Sequence, residues 1–229
     1  MTSEEMLARL LYRDGLLLVV DKPAGLPVHR GPKGGNALED YFDALRFGLP
    51  RPPALAHRLD RDTTGCLVLG RHRKALALLG KLFKQGRVGK CYWAVVEGGP
   101  ESNEGRIDIP LAKRDDSRGW WMKADSHGLP SASTWKVLGR GPDITWLALE
   151  PLTGRTHQLR VHCAEMGWPV VGDSIYGNAA RLGGPTLHLH SREVTVPISK
   201  NKPPVKVTAP VPESMREKLI ACSWTQADQ

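Results

Sequence analysis

The sequence predicts an α+β protein built on a long mixed, mainly antiparallel sheet with flanking helices. Roughly eight strand candidates and four or five helix candidates follow one another in irregular order. There is no regular β-α-β alternation of the kind that builds a parallel sheet. Neither an internal repeat nor a Gly/Ser linker divides the 229 residues, so one domain over 1–229 is expected.

Taken in order, residues 4–11 can form a short helix. Residues 15–20, Gly-Leu-Leu-Leu-Val-Val, read as a strand, stopped by Asp21-Lys22-Pro23-Ala24-Gly25, whose Pro and Gly demand a turn. Residues 31–35 form a flexible basic loop. Leu38, Tyr41, Phe42 and Leu45 have helical spacing within 37–47, and a Pro-rich stretch at 50–53 ends that helix. A strand over 66–69 precedes a helix over 73–85, where Leu76, Leu79, Leu82 and Phe83 repeat helically and Gly86 closes the end. The β-branched and aromatic run at 90–97 is the clearest strand, and 107–111, 133–137 and 144–150 read as further strands. Residues 113–130 are polar and basic and carry Trp120-Trp121, which can either stack on bases or fold onto the body. A helix over 156–166, strands over 185–196 and 203–208, and a terminal helix over 213–222 complete the chain.

An apolar content of 41% with 24% charged residues fits a globular protein rather than a disordered one. No apolar run approaches the roughly 20 residues that span a bilayer, and the acidic start lacks a signal-peptide pattern. A cytoplasmic protein with no membrane partner is expected. Four cysteines, Cys66, Cys91, Cys163 and Cys222, form no C-x-x-C pair, so neither a zinc knuckle nor a disulfide framework is indicated. Three of them lie in apolar surroundings and read as core residues. Thirty-two Lys and Arg against 24 Asp and Glu give a net charge of +8, which favours a polyanionic partner.

Four groups of residues compete to carry chemistry. In His57-Arg58-Leu59-Asp60-Arg61-Asp62-Thr63-Thr64-Gly65, two acids sit among arginines just ahead of an apolar strand. Neighbouring guanidinium groups keep a carboxylate such as Asp60 ionised, which suits a nucleophile; the same pattern also reads as a surface ion pair. Thr153-Gly154-Arg155-Thr156-His157-Gln158-Leu159-Arg160 is either an anion-binding helix start or an ordinary capped helix. Alternation puts Tyr92 and Ala94 on one strand face and Cys91, Trp93 and Val95 on the other, and a lone strand tyrosine reads equally as core. His157, His162, His188 and His190 lack metal-ligand spacing, so no metal is expected. Phosphate-binding and dinucleotide-binding glycine loops and the G-x-S-x-G elbow are absent from the sequence, which disfavours NTPase, dinucleotide-dependent and serine-hydrolase chemistry.

Together these segments resemble the RluA-type RNA pseudouridine synthases. His57-Arg58-Leu59-Asp60 with Thr63-Thr64-Gly65 resembles the H-R-L-D-x-x-T-S-G motif, with Thr64 where Ser is usual. In the family's order, Asp21-Lys22-Pro23-Ala24-Gly25 resembles D-K-P-x-G, and Lys90, Tyr92 and Ala94 resemble K-x-Y-x-A. Thr153 to Arg160, continuing to Gly172-Asp173 and Tyr176-Gly177, resembles T-G-R-x-H-Q-[IL]-R … G-D-x-x-Y-G, and Leu187 to His190 sits where the family has a late strand. The likeness spans about residues 14–210 and points to a compact member without an extra N-terminal RNA-binding domain.

The resemblance implies the pseudouridine synthase fold with a central basic cleft, and conversion of uridine to pseudouridine in structured ribosomal or transfer RNA. It implies a reaction that needs no cofactor, and a monomer is expected. Asp60 matches the catalytic nucleophile, Tyr92 the tyrosine that packs against uracil, and Arg160 the arginine that pairs with the aspartate. Arg58 is expected to enter the space left by the flipped nucleotide; His57, Arg155 and Leu159 join it as substrate-binding candidates. Arg71, Arg73, Lys74 and the 113–123 hairpin are candidates for backbone phosphate contacts. A catalytically inactive RNA-binding protein of the same fold is the alternative.

Overall fold

The computed structural model describes residues 1–31, 34–115, 120–199 and 201–225. Its elements in chain order are α1 (Ser3–Ala8), β1 (Leu10–Arg13), β2 (Leu17–Lys22), a 3-10 helix (Leu38–Leu45), β3 (Ala54–Leu55), β4 (Thr64–Gly70), α2 (Arg73–Lys84) and β5 (Gly89–Glu97). They continue with β6 (Glu104–Asp108), β7 (Leu111–Lys113), β8 (Met122–Ala124), β9 (Ala132–Gly141), β10 (Ile144–Pro151), α3 (Gln158–Glu165), β11 (Leu189–Val196), β12 (Val205–Thr208) and α4 (Glu213–Ala221). The expected α+β class holds. The elements gather into two units, Met1–Lys90 with Ser191–Pro210, and Cys91–His190 with Val211–Gln229.

In the first unit the strand order is β1-β2-β4-β11, with β3 on β4 and β12 on β11. Strand β4, an unbroken apolar run, is buried at every position, as expected of a strand covered on both faces. Leu17 and Val19 of β2, Cys66 and Val68 of β4, and Val194 and Val196 of β11 share one core cluster. The two-residue spacing on each strand is the pleat's signature. Helix α2 adds Leu79 and Leu82 to that cluster. The helix starts where His72 accepts the Ala75 N–H through Nδ1 at 3.2 Å. It lies so close to β4 that a Cβ on Gly70 would stand 2.9 Å from the Leu76 Cα.

In the second unit β5, β10, β9 and β6 are neighbours in that order, each pairing antiparallel with the next. Trp93 and Val95 of β5 meet Trp146 of β10 and Met215 and Leu219 of α4 in one cluster. The Trp93 and Trp146 rings meet edge to face, 4.7 Å between centroids. Strands β7 and β8 form a separate hairpin.

The structure departs from the sequence expectations in four places. Residues 38–45 form a 3-10 helix instead of an α-helix. Leu38 and Glu39 N–H bond to the Pro27 and Val28 carbonyls of the preceding segment, while Asp40 N–H bonds to Ala37 and Arg46 N–H to Asp43, short i to i+3 bonds at both ends. The helix at 4–11 stops at Ala8, because Asp14 Oδ1 accepts the Leu16 and Leu17 N–H groups and folds 10–22 into a hairpin. The strand over 107–111 splits into β6 and β7 at Pro110, which has no N–H for the ladder. The short β3 had no sequence signal, and β8 falls at the end of the expected 113–123 hairpin. Pro32 and Lys33 of the basic loop and 116–119 of the tryptophan hairpin lie outside the described residues. Cys66, Cys163 and Cys222 are buried, Cys91 is half-buried, and all are free thiols. Among the described residues no helix is long and apolar enough to cross a membrane.

Gly70→Ala would force α2 away from β4, an overpacking defect of about 1–3 kcal/mol. Thermal or urea unfolding should show a clear loss of stability, and an unchanged midpoint would contradict this packing.

Candidate active site

The first part of the site is the chain between β3 and β4. Antiparallel pairing of β2 with β4 puts Lys22 opposite Gly65, directly beneath the loop that carries Asp60. Lys22 is wholly buried. Its ammonium donates to the carbonyls of Pro23 (2.7 Å), Arg61 (2.7 Å) and Thr63 (3.0 Å), so all three protons bond to backbone. Burial pushes its pKa down to about 8, although the nearby Asp62, Asp60 and Asp21 carboxylates pull the other way.

The loop is held at further points. Thr63 N–H bonds to the Asp60 carbonyl at 3.3 Å, Leu59 is buried, and Arg61 Nε reaches the Gly25 carbonyl at 3.0 Å. Gly65 takes φ 100°, which a side chain would strain, and this lets the loop turn straight into β4. His57 Nε2 accepts the Val68 N–H at 2.9 Å, and its ring stacks on Phe83 at 4.5 Å. Burial pushes its pKa down to about 3, with Lys90 adding to the effect. Arg58 is exposed and Asp60 half-buried. Arg61 and Asp62 form only a loose surface pair at 4.0 Å.

A separate group of candidate residues lies in the other unit. Tyr92 on β5 is buried and pairs in register with Leu149 of β10. Trp93, Val95 and the half-buried Cys91 pack into the cluster beneath α4, so alternation turns Tyr92 to the opposite face. Helix α3 begins within the Thr153 to Arg160 segment, with His157 as its N-cap in left-handed backbone at φ 52°. Gln158 pins this start. Its carbonyl accepts from the Thr153 hydroxyl and Arg155 N–H, and its amide donates to the Ala132 carbonyl and Ser133 hydroxyl. Arg155 is half-buried with Nε on the Pro130 carbonyl at 3.2 Å, and Leu159 is buried.

Arg160 is buried and grips Asp173 with two bonds of 2.7 Å, from Nε and Nη2. Asp173 Oδ1 also accepts the Ile175 and Tyr176 N–H groups at 2.9 and 3.0 Å. Burial alone would raise the Asp173 carboxyl, but Arg160 and these amides outweigh it and hold the pKa below the usual range. Arg160 also lies over the Tyr176 ring at 5.3 Å.

The histidines considered for metal bond elsewhere in the chain. His162 contacts the Ser133 hydroxyl and Ile109 carbonyl, each at 3.1 Å, His188 the Thr186 carbonyl at 2.8 Å, and His157 the Tyr176 hydroxyl at 2.8 Å. Among the described residues no three His, Cys, Asp or Glu side chains are gathered where they could hold a metal ion.

Sequence reasoning quoted Lys22 and Asp173 inside motifs without giving either a role. Lys22 carried a usable signal: a lysine closing an apolar strand before Pro is placed to enter the interior. Asp173 carried none, since its pairing joins α3 to a turn 13 residues on.

Asp60, on the loop held by the buried Lys22 ammonium, belongs to the first unit, and the buried Tyr92 and the carboxylate-clamped Arg160 belong to the second. A family model described as RNA pseudouridylate synthase matches residues 16–165. An uncharacterized RNA pseudouridine synthase of Zymomonas mobilis is 44% identical, over 91% of this chain and 96% of its own. The ribosomal large subunit pseudouridine synthase C of Vibrio vulnificus is 34% identical, over 92% and 68%. Among solved structures, human RNA pseudouridylate synthase domain containing 4 superposes with a TM-score of 0.81 at 26% identity, covering 96% of this chain and 95% of that one. The chain belongs to the RNA pseudouridylate synthase family. Its activity is therefore that of an isomerase.

Lys22→Met would leave three buried carbonyls without a donor and should lower stability by about 2–4 kcal/mol. The pH dependence has a definite sign. An ordinary lysine holds its proton to 10.5 and Lys22 only to about 8, so between those values the unfolded chain binds more protons. Stability from this group rises with pH there. Chemical unfolding at a series of pH values should show the gap between wild type and Lys22→Met widening from pH 8 to 10.5, and a narrowing gap would refute the assignment.

Proposed function

We propose that this protein converts specific uridines to pseudouridine in structured RNA, ribosomal or transfer, with Asp60 as nucleophile. The observation that carries the reading is the Lys22 ammonium bonded to Arg61 and Thr63, the residues on either side of Asp62 in the Asp60 loop. A catalytic carboxylate needs a fixed position, and a loop tied at its own backbone supplies one. In the reaction the bond from ribose to uracil N1 breaks, the base turns, and ribose rejoins at C5 while the C5 hydrogen leaves to solvent. No electrons are exchanged and no cofactor is required.

In this reading Tyr92 packs against the uracil, and Arg160, fixed by Asp173, pairs with the nucleophile. Arg58 fills the space of the flipped nucleotide, at a cost to the RNA of a few kcal/mol, and Arg155 and Leu159 also bind the substrate. His57 acts by position, since its ring is committed to Val68 and Phe83. The chain works as one catalytic domain and a monomer in the cytoplasm, with a basic cleft along which RNA lies. Ribosomal RNA is the favoured substrate, because the Vibrio vulnificus relative that matches 92% of the chain is named for the large ribosomal subunit.

Asp60→Asn should abolish tritium release from C5-labelled uridine in ribosomal RNA and leave RNA affinity within about threefold of wild type. Substantial residual turnover would sink the nucleophile assignment. The net charge of +8 leads to a second expectation: the RNA dissociation constant should rise at least tenfold between 50 and 200 mM salt, through counterion release. Salt-independent binding would rule out the basic cleft.

A further inference from the structure

The tryptophan pair of the β7–β8 hairpin divides into two different environments. Strand β7 pairs with β8 from Leu111↔Ala124 to Lys113↔Met122, and Arg114 N–H bonds to the Trp121 carbonyl at 2.7 Å. Trp121 is buried, with the guanidinium groups of Arg181 and Arg114 over its ring at 5.3 and 5.9 Å. Trp120 is 54% exposed. It meets Trp121 and His157 at centroid distances of 5.5 Å, with interplanar angles of 78° and 75°. Neither ring is stacked parallel on it, and the exposed half of the indole is the surface a flat base would meet.

Its footing is firm and local. His157 Nδ1 lies 2.8 Å from the Tyr176 hydroxyl, which accepts the Met122 N–H at 2.9 Å. The exposed indole is thereby joined to β8 and to the start of α3, the segment that carries Arg160. Among the described residues, Lys113, Arg114, Lys123 and Arg181 are exposed around Trp121 and the hairpin, against two acids, the exposed Asp115 and Asp125, which is bonded to Lys123 at 2.9 Å. An open aromatic ring with cations around it suits a single-stranded nucleic acid, whose bases stack while its phosphates meet the charges.

We propose that Trp120 is a stacking platform for one unpaired base of the RNA substrate, with Arg114 and Arg181 facing the phosphates beside that base. The proposal rests on RNA being the substrate and not on Asp60 being the nucleophile or on which RNA is modified. It also gives the hairpin a function that does not depend on base identity, since every base offers a π face.

The test measures binding by fluorescence anisotropy to two probes, a 12-nucleotide oligouridylate and an abasic ribose-phosphate chain of the same length. Trp120→Ala should bind oligouridylate roughly five- to 100-fold more weakly than wild type, the range for one lost base stack, and should bind the abasic chain equally well. Trp120→Phe should recover most of the affinity and Trp120→Leu little of it, so a role in holding the fold is separable from stacking. Arg114→Gln and Arg181→Gln should weaken both probes alike. Asp60→Asn should bind both like wild type, so failure of the nucleophile assignment would leave these results intact. The platform is overturned if Trp120→Ala binds oligouridylate normally, as a tryptophan that docks a protein would. It is also overturned if leucine rescues as well as phenylalanine, if the loss extends equally to the abasic chain, or if wild type does not prefer oligouridylate over that chain.

Discussion

The first unit depends on one buried charge. An ammonium removed from water is costly unless every proton finds an acceptor, and Lys22 finds three in the Pro23, Arg61 and Thr63 carbonyls. The geometry that makes this possible is non-local, because those acceptors sit 39 and 41 residues away for Arg61 and Thr63. The β2–β4 register must place Lys22 opposite Gly65, and Gly65 must hold its positive φ, or the carbonyls would not converge. Loop carbonyls have no ladder partner, so a buried loop needs donors from elsewhere. Lys22 supplies three at once, and the loop that presents Asp60 is held at its backbone and leaves its side chains to other work.

The second unit solves the same problem with the opposite sign. The turn at 173–177 is irregular, and Asp173 joins it to α3 through two N–H groups of its own turn and two bonds from Arg160. A bidentate guanidinium–carboxylate pair fixes orientation as well as distance. Losing either partner would leave an uncompensated buried charge, which is far costlier than losing a surface pair. Gln158 acts similarly with a neutral amide, using both of its ends across four contacts.

Much of this was legible in the sequence where periodicity or composition was strong. The buried run of β4, the helical face of α2 and the alternation of β5 follow from local spacing. The hairpin at 10–22 was also legible in principle, from Asp14-Gly15, but the apolar residues before it fit a helix as well as a strand. What spacing cannot reveal is which buried polar group meets which. Lys22 and Asp173 stood inside recognisable motifs, yet their roles depend on strand register and on a turn closing back on a helix. Trp120 and Trp121 show the same limit, since adjacent identical residues have different fates once the hairpin fixes which one faces inward.

His57 shows how a plausible sequence assignment changes once its bonds are seen. Beside Arg58 and ahead of Asp60, it reads as a residue for touching RNA, and a protonated imidazole there would add to the positive potential. Yet its Nε2 is an acceptor for the Val68 N–H, and protonation at that atom would turn an acceptor into a donor facing a donor. Burial and Lys90 act in the same direction and hold the pKa at about 3. The ring is therefore neutral across the physiological range and contributes no charge to RNA binding. In the proposed function attraction for phosphate comes from arginine and lysine, so any weakening of RNA binding between pH 6 and 8 would have to originate in a group other than His57.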